Sequence, residues 1–257
     1  MKIKTGDIFN TNEGGSVVVR EYRSSYDIDV MHMDSHRYLD TVQAGNLRRG
    51  NVKNPYHKSV FGVGFVGVGI HKRSYRFKNN KKTAYDAWVE MLRRCYSHKY
   101  QAKYPTYIGC TVYNDWHNLQ TFAEWFHKQP NSDNTGFHLD KDLRVAGNKV
   151  YSPNTCSFVP YQINGLLTDM GALRGKYPIG VCAHGKGFRV QMSINSNLLR
   201  LGTYTTPDIA FSVYKKAKEA NVRSMAQEWQ DHLHPDVFEN LIHFNATEDT
   251  PGYRGVV

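Results

Sequence analysis

The first third of the chain carries the signature of strands. Residues 16–22 crowd β-branched and aromatic side chains together, and residues 26–33 alternate polar with apolar positions. A period of two of this kind predicts half-buried strands. Glu13-Gly14-Gly15 and Ser24-Ser25 supply turns, residues 37–42 form a third strand candidate, and the glycine-rich run 62–69 leads out. Residues 1–70 therefore read as a small antiparallel β-barrel, of a size suited to docking rather than catalysis. From Thr83 the period lengthens. Ala84, Trp88, Leu92 and Cys95 fall on one helical stripe, and Leu119, Phe122, Trp125 and Phe126 mark a second helix over 118–128. Between them, residues 107–113 look strand-like.

The last third returns to short strands, at 179–182, 187–194 and 198–204. His184-Gly185-Lys186-Gly187 and Asn195-Ser196-Asn197 have the composition of hairpin turns. Thr206 is a helix N-cap with Pro207 in the first turn, and Ala210, Tyr214, Ala217 and Ala220 give that helix a face for the sheet. Two further helices are predicted over 222–233 and 235–244, followed by a polar tail, 245–257. Within the sheet, Phe188, Val190 and Met192 alternate with Arg189, Gln191 and Ser193. The first set is expected to pack on the helix and the second, joined by Arg200, to face outward. Arginine and glutamine on such a face suit the major groove, where they pair with guanine and adenine edges.

Charge gives this layout a partner. A net charge of +10 and a sequence pI near 9.3 draw polyanions through counterion release. The hydrophobic share, 40%, is that of a folded chain rather than a disordered one. No apolar run approaches the roughly 20 residues of a membrane span, and the N-terminus lacks a signal-peptide core, so a cytoplasmic location is expected. The four cysteines are scattered with no C-x-x-C pair, which favours buried thiols over disulfides or a zinc knuckle. Basic side chains collect in the loop 45–55, with Arg48, Arg49 and Lys53, and in the linker 71–83, where Lys72 and Arg73 precede Tyr75 and Arg76 lies between Tyr75 and Phe77. The C-terminal sheet adds His184, Lys186, Arg189, Gln191 and Arg200 as DNA-contacting candidates.

The centre of the chain holds the candidate chemistry. Residues 136–143 read as a strand ending in the charged triplet Asp140-Lys141-Asp142. A tight turn at Gly147-Asn148, a second strand and a helix opening at Ser152-Pro153 are predicted to follow. A divalent-metal nuclease needs hard oxygen ligands and a base for water. Asp140 is the candidate ligand, with Asn148, Asn154 or Asn164 supplying a second oxygen. His138 shares the strand face of Asp140 and is one candidate base. Lys141 is the other, provided that its pKa is depressed. The competing reading of Asp140-Lys141-Asp142 is an ordinary salt-bridged turn.

Two resemblances sharpen this. Residues 177–181, Phe188-Arg189-Val190 and the run 201–210 with Tyr214 and Ala217 resemble the plant ethylene-response-factor type (AP2/ERF-like) DNA-binding domain. That domain also occurs in phage and bacterial homing endonucleases, and Cys182 and Ala183 stand here where its first strand usually carries arginine. Residues 107–164 are similar to the HNH nuclease modules of phage homing endonucleases. The likeness rests on Gly109-Cys110-Thr111-Val112, Trp116, Phe122, Trp125, Leu139-Asp140-Lys141-Asp142, Tyr151-Ser152-Pro153 and Asn164. It implies that Asp140 is a ligand of Mg²⁺ (or Mn²⁺), that Asn154 or Asn164 completes the metal site, and that Asn148 is the turn asparagine. Lys141 occupies the place of the family's histidine base.

The implied fold class is α+β. It comprises an N-terminal small β-barrel (1–70), a basic linker (71–83), a central HNH-like ββα-metal nuclease module with flanking helices (84–170) and a C-terminal three-stranded sheet packed on a helix (176–244). The implied function is a site-specific endonuclease of homing character acting as a monomer on double-stranded DNA. The alternative is a sequence-specific DNA-binding regulator with a non-cleaving nuclease module.

Overall fold

The computed structural model describes residues 2–73, 81–167, 177–194 and 197–247. The chain divides into two compact units, one of residues 1–73 with His117–Gln120 and one of the remainder.

In the first unit, β1 (Ile8–Asn10), β2 (Ser16–Ser24), β3 (Asp27–His32) and β4 (Leu39–Val42) form an antiparallel meander in sequential order. The expected barrel is corrected here: the described strands make an open sheet whose edges are β1 and β4. With only three and four residues, these edge strands have little ladder with which to close. The apolar face formed by Val17, Val19, Ile28 and Val30 is covered instead by Ala44 and Leu47 of the short helix α1 (Ala44–Arg48), with Ile3 and Val52. Part of the stretch expected as a polar loop is thus a helical turn that buries Leu47.

The second unit opens with α2 (Ala84–Tyr96). Thr83 and Asp86 form a capping box, and Trp88, Met91 and Leu92 are fully buried on the inner stripe. The Trp88 indole N–H donates to the Trp116 carbonyl at 2.7 Å, which removes the penalty of burying that donor. After α3 (His98–Lys103), β5 (Thr111–Val112) pairs in parallel with β7 (Val150–Tyr151). It is shorter than the strand expected over 107–113, because residues 105–107 take a 3₁₀ turn. Beyond α4 (Leu119–Lys128), β6 (Phe137–Asp140) runs antiparallel to β8 (Ser157–Pro160), with Asp140 opposite Ser157. Helix α5 (Tyr161–Leu166) follows.

This helix begins eight residues later than expected. Ser152 and Thr155 instead close a turn, hydroxyl to hydroxyl at 2.9 Å, with the Thr155 and Cys156 N–H groups on the Ser152 carbonyl. The apolar residues Phe158 and Val159 then pass into the sheet.

The C-terminal sheet has the order β11-β10-β9, from β9 (Val181–His184), β10 (Gly187–Ile194) and β11 (Asn197–Tyr204). Helix α6 (Pro207–Glu228) is continuous where two helices were expected. Its 22 residues span about 33 Å. Ala210, Phe211 and Tyr214, in its first half, pack with Val181, Val190 and Met192 of the sheet. Val222, Met225 and Ala226, in its second half, pack with Leu143, Val159 and Ile163 around β8 and α5, together with Val237 and Leu241 of α7 (Pro235–Ile242). One helix thus serves both cores. Gly180, at φ +78°, admits the Tyr214 ring so closely that an added Cβ would lie 2.0 Å from it. Among the described residues, no helix is long and apolar enough to cross a membrane.

Candidate functional site

The strand–loop–strand–helix run β6, β8 and α5 places Asp140 at the end of β6, where it is 8% exposed. Its Oδ1 accepts from the backbone N–H groups of Asp142 at 3.0 Å and Leu143 at 2.7 Å, which closes the turn after the strand. Burial, and then the neighbouring Asp142 carboxylate, push the Asp140 carboxyl up to about 7, against the opposing pull of the Leu143 N–H. The Lys141 ammonium lies 2.8 Å from Asp142 Oδ2, and both groups are buried. Burial alone would lower the Lys141 pKa, but Asp142 more than offsets this and raises it. That is opposite to the depression a general base requires, so the ammonium is protonated at neutral pH.

His138 differs. Half-buried on β6, it precedes Asp140 by two residues and shares its face by strand alternation. Burial first, then Lys82 and Arg94, lower its pKa, which leaves a neutral imidazole at pH 7. Both cations also hold the edge of β6 turned away from β8. Lys82 Nζ donates to the Phe137 carbonyl and Arg94 Nη1 to the Leu139 carbonyl, each at 3.2 Å. Arg94 also reaches the Tyr151 hydroxyl at 3.4 Å and pairs with Glu90 at 3.4 Å. Lys82 falls in the expected linker 71–83, and Arg94 lies on the helix predicted from Thr83 but outside its apolar stripe. Their placement beside His138 depends on contacts across 55 and 45 residues of chain, for which local sequence has no signal.

The three asparagines separate clearly. Asn148 is committed to the loop. Its Nδ2 donates to the Lys141 and Val150 carbonyls, each at 2.7 Å, and its Oδ1 accepts from Val150 N–H at 3.1 Å. It is a loop staple rather than a ligand. Asn154 is exposed in the turn before β8, and Asn164 is half-buried on α5, which packs against both β6 and β8. Among the described residues no three His, Cys, Asp or Glu side chains converge as a metal-ligand group. A carboxylate with an amide oxygen is nonetheless a donor set that Mg²⁺ accepts, since Mg²⁺ keeps several waters. Asp140, buried and with its pKa raised to about 7, would give up its proton more readily beside a cation.

On the C-terminal sheet, Arg189 stands opposite Cys182 on β9 and Thr203 on β11. The register slips between Val190 and Gln191, so that Val190 faces Gly202 while Gln191 faces Arg200. This bulge has a consequence. Leu201 joins the core with Val190 and Tyr214, whereas Arg200 moves to the outer face beside Gln191. Gly202 carries the bulge at φ +126°, with the Tyr204 hydroxyl donating to the Leu201 carbonyl at 2.8 Å. Arg200, His184 and Lys186 are exposed, and Arg189 and Gln191 are half-buried. The Arg189 Nε is buried without a hydrogen-bond partner.

The remaining basic candidates lie in the first unit. Arg48, Arg49, Lys53, Lys72 and Arg73 are exposed, with Arg73 donating to Ser59 Oγ at 2.6 Å and Lys72 to the Gly69 carbonyl at 3.2 Å. Arg76 lies outside the described residues. Comparison with protein-family models, with curated proteins and with solved structures found no match to this chain.

Proposed function

We propose that this protein is a site-specific, homing-type DNA endonuclease that hydrolyses a phosphodiester of double-stranded DNA with Mg²⁺ or Mn²⁺. The observation that carries the reading is the β6–β8–α5 unit ending in buried Asp140, joined through the single helix α6 to an outward Arg189/Gln191/Arg200 face. The sheet face reads base edges in the major groove, where each bidentate contact contributes about 1–3 kcal/mol of discrimination. Asp140 and Asn164 would hold the metal, which stabilises the leaving oxyanion when bound. His138, neutral at pH 7, takes the proton of the attacking water, and Lys82 and Arg94 draw the phosphate toward β6. Lys141, paired with Asp142, positions the turn.

That same ion pair favours the second reading, a sequence-specific DNA-binding regulator whose nuclease module does not cut. The separating experiment incubates the folded protein with Mg²⁺ and the DNA flanking its own coding sequence. Metal-dependent strand cleavage supports the endonuclease. Tight sequence-dependent binding without cleavage supports the regulator.

A further inference from the structure

The ladder between β10 and β11 continues past the bulge. Met192 stands opposite Leu199, Ser193 opposite Leu198 and Ile194 opposite Asn197. The pairing of β9 with β10 covers residues 187–190, so beyond Val190 the described sheet narrows to a two-stranded ribbon. Residues directly opposite across an antiparallel pair share a face. Met192 is buried in the core with Tyr214, so Ser193, its neighbour in the strand, points to the other side. Leu198, opposite Ser193, therefore lies on the outer face with Arg189, Gln191 and Arg200. It is 56% exposed.

An exposed leucine alone is ordinary surface. Its company here is not. The outer face carries guanidinium and amide groups that match guanine and adenine edges, and those edges offer nothing apolar. The thymine C5-methyl is the one apolar group in the major-groove pattern, and an apolar side chain is its match. Along β10 the outward residues recur about every 6.8 Å, and base pairs in B-DNA stack about 3.4 Å apart. Each outward row thus advances about two base pairs. The rows are Arg189 with Thr203, Gln191 with Arg200, and Ser193 with Leu198.

We propose that Leu198 is a specificity-determining residue that contacts the C5-methyl of a thymine in the DNA site. That thymine lies about two base pairs beyond the position read by Gln191 and Arg200, and about four beyond that read by Arg189. This assignment rests on the proposed entry of the sheet into the major groove of double-stranded DNA.

The test uses the full-length protein without divalent metal, so that binding is read apart from cleavage. A preferred sequence is selected from randomised duplexes, and each of its thymines is then replaced by uracil, which removes only the methyl group. One thymine is expected whose replacement weakens wild-type binding about fourfold, the worth of one buried methyl. Leu198→Ala should be indifferent to uracil at that position while keeping every other base preference. Arg189→Ala should keep the uracil effect. Because Leu198 is exposed, its variant should melt as wild type does. A preferred sequence in which no thymine methyl matters, or an undiminished uracil effect in Leu198→Ala, overturns this assignment alone. Absence of any preferred sequence for wild type overturns the major-groove role of the sheet and this assignment together.

Discussion

Replacing Asp140 with asparagine isolates the electrostatic cost of the candidate centre. Asparagine retains an Oδ1 to accept from Asp142 N–H and Leu143 N–H, so the turn keeps its staple while the ionisable group is lost. The folded-state pKa of Asp140 is raised from its ordinary 3.8 to about 7 by burial and by Asp142. A raised pKa means that the native state binds the proton more tightly than the unfolded chain. Its stabilising contribution is therefore complete below pH 3.8 and is lost as pH rises through about 7. At about 1.4 kcal/mol per pH unit, that interval corresponds to a ceiling of about 4 kcal/mol.

Asp140→Asn should thus be more stable than wild type at pH 8, by up to that amount, with the advantage shrinking toward pH 4. Urea unfolding of both proteins across this range reads it. Taking the difference between the two cancels the opposite contributions of His32 and His138, whose pKa values are lowered by burial. Mg²⁺ favours the ionised carboxylate, so it should return stability to wild type alone at pH 8. A variant destabilised equally at pH 4 and pH 8 would refute the reasoning, because Asp140 would then contribute only packing.

Three further outcomes follow from the geometry. Gly180→Ala should destabilise the C-terminal sheet by about 1–3 kcal/mol, because its Cβ would meet the Tyr214 ring at a positive φ; thermal melting monitored by tyrosine fluorescence reads this. Asn148→Ala removes three hydrogen bonds within the 141–150 loop and should cost about 1–3 kcal/mol. A drop in urea midpoint with an unchanged slope is its signature. Arg189→Ala should relax base preference at one position of the DNA site by about 1–3 kcal/mol in a randomised-site binding assay. A uniform loss over all sequences would place Arg189 on a phosphate instead.

Local chemistry was legible where a few neighbouring residues decide the outcome. Thr206-Pro207 marked a helix start, and the structure has the Thr206 hydroxyl accepting from Ile209 N–H at 3.3 Å. Thr83 likewise opens α2 with its capping box. The outward face of Arg189, Gln191 and Arg200 is readable from alternation, whereas the bulge that sets Gln191 opposite Arg200 is not, since it depends on cross-strand register. Whether the strands close into a barrel is illegible for a similar reason, and the sheet is open. Alternation in β2 and β3 says that one face is buried, not whether a strand or the helix α1 covers it. Ser152-Pro153 has the composition of a helix N-terminus, but Ser152 and Thr155 close a turn and the helix begins only at Tyr161. At the centre, Asp140 and His138 were visible from alternation. The Lys82 and Arg94 neighbours, and the direction of the Lys141 pKa, emerged only from tertiary contacts.

The most direct test of the central claim is cleavage of DNA carrying the flanks of the protein's own coding sequence, with Mg²⁺ present and then chelated. Wild type and Asp140→Asn are compared after both are shown to be folded. The account predicts strand cleavage by wild type that stops on chelation and falls by at least two orders of magnitude in the variant, as loss of a metal-held charge in an active centre does. Equal cleavage by the two proteins, or none by wild type, would contradict it.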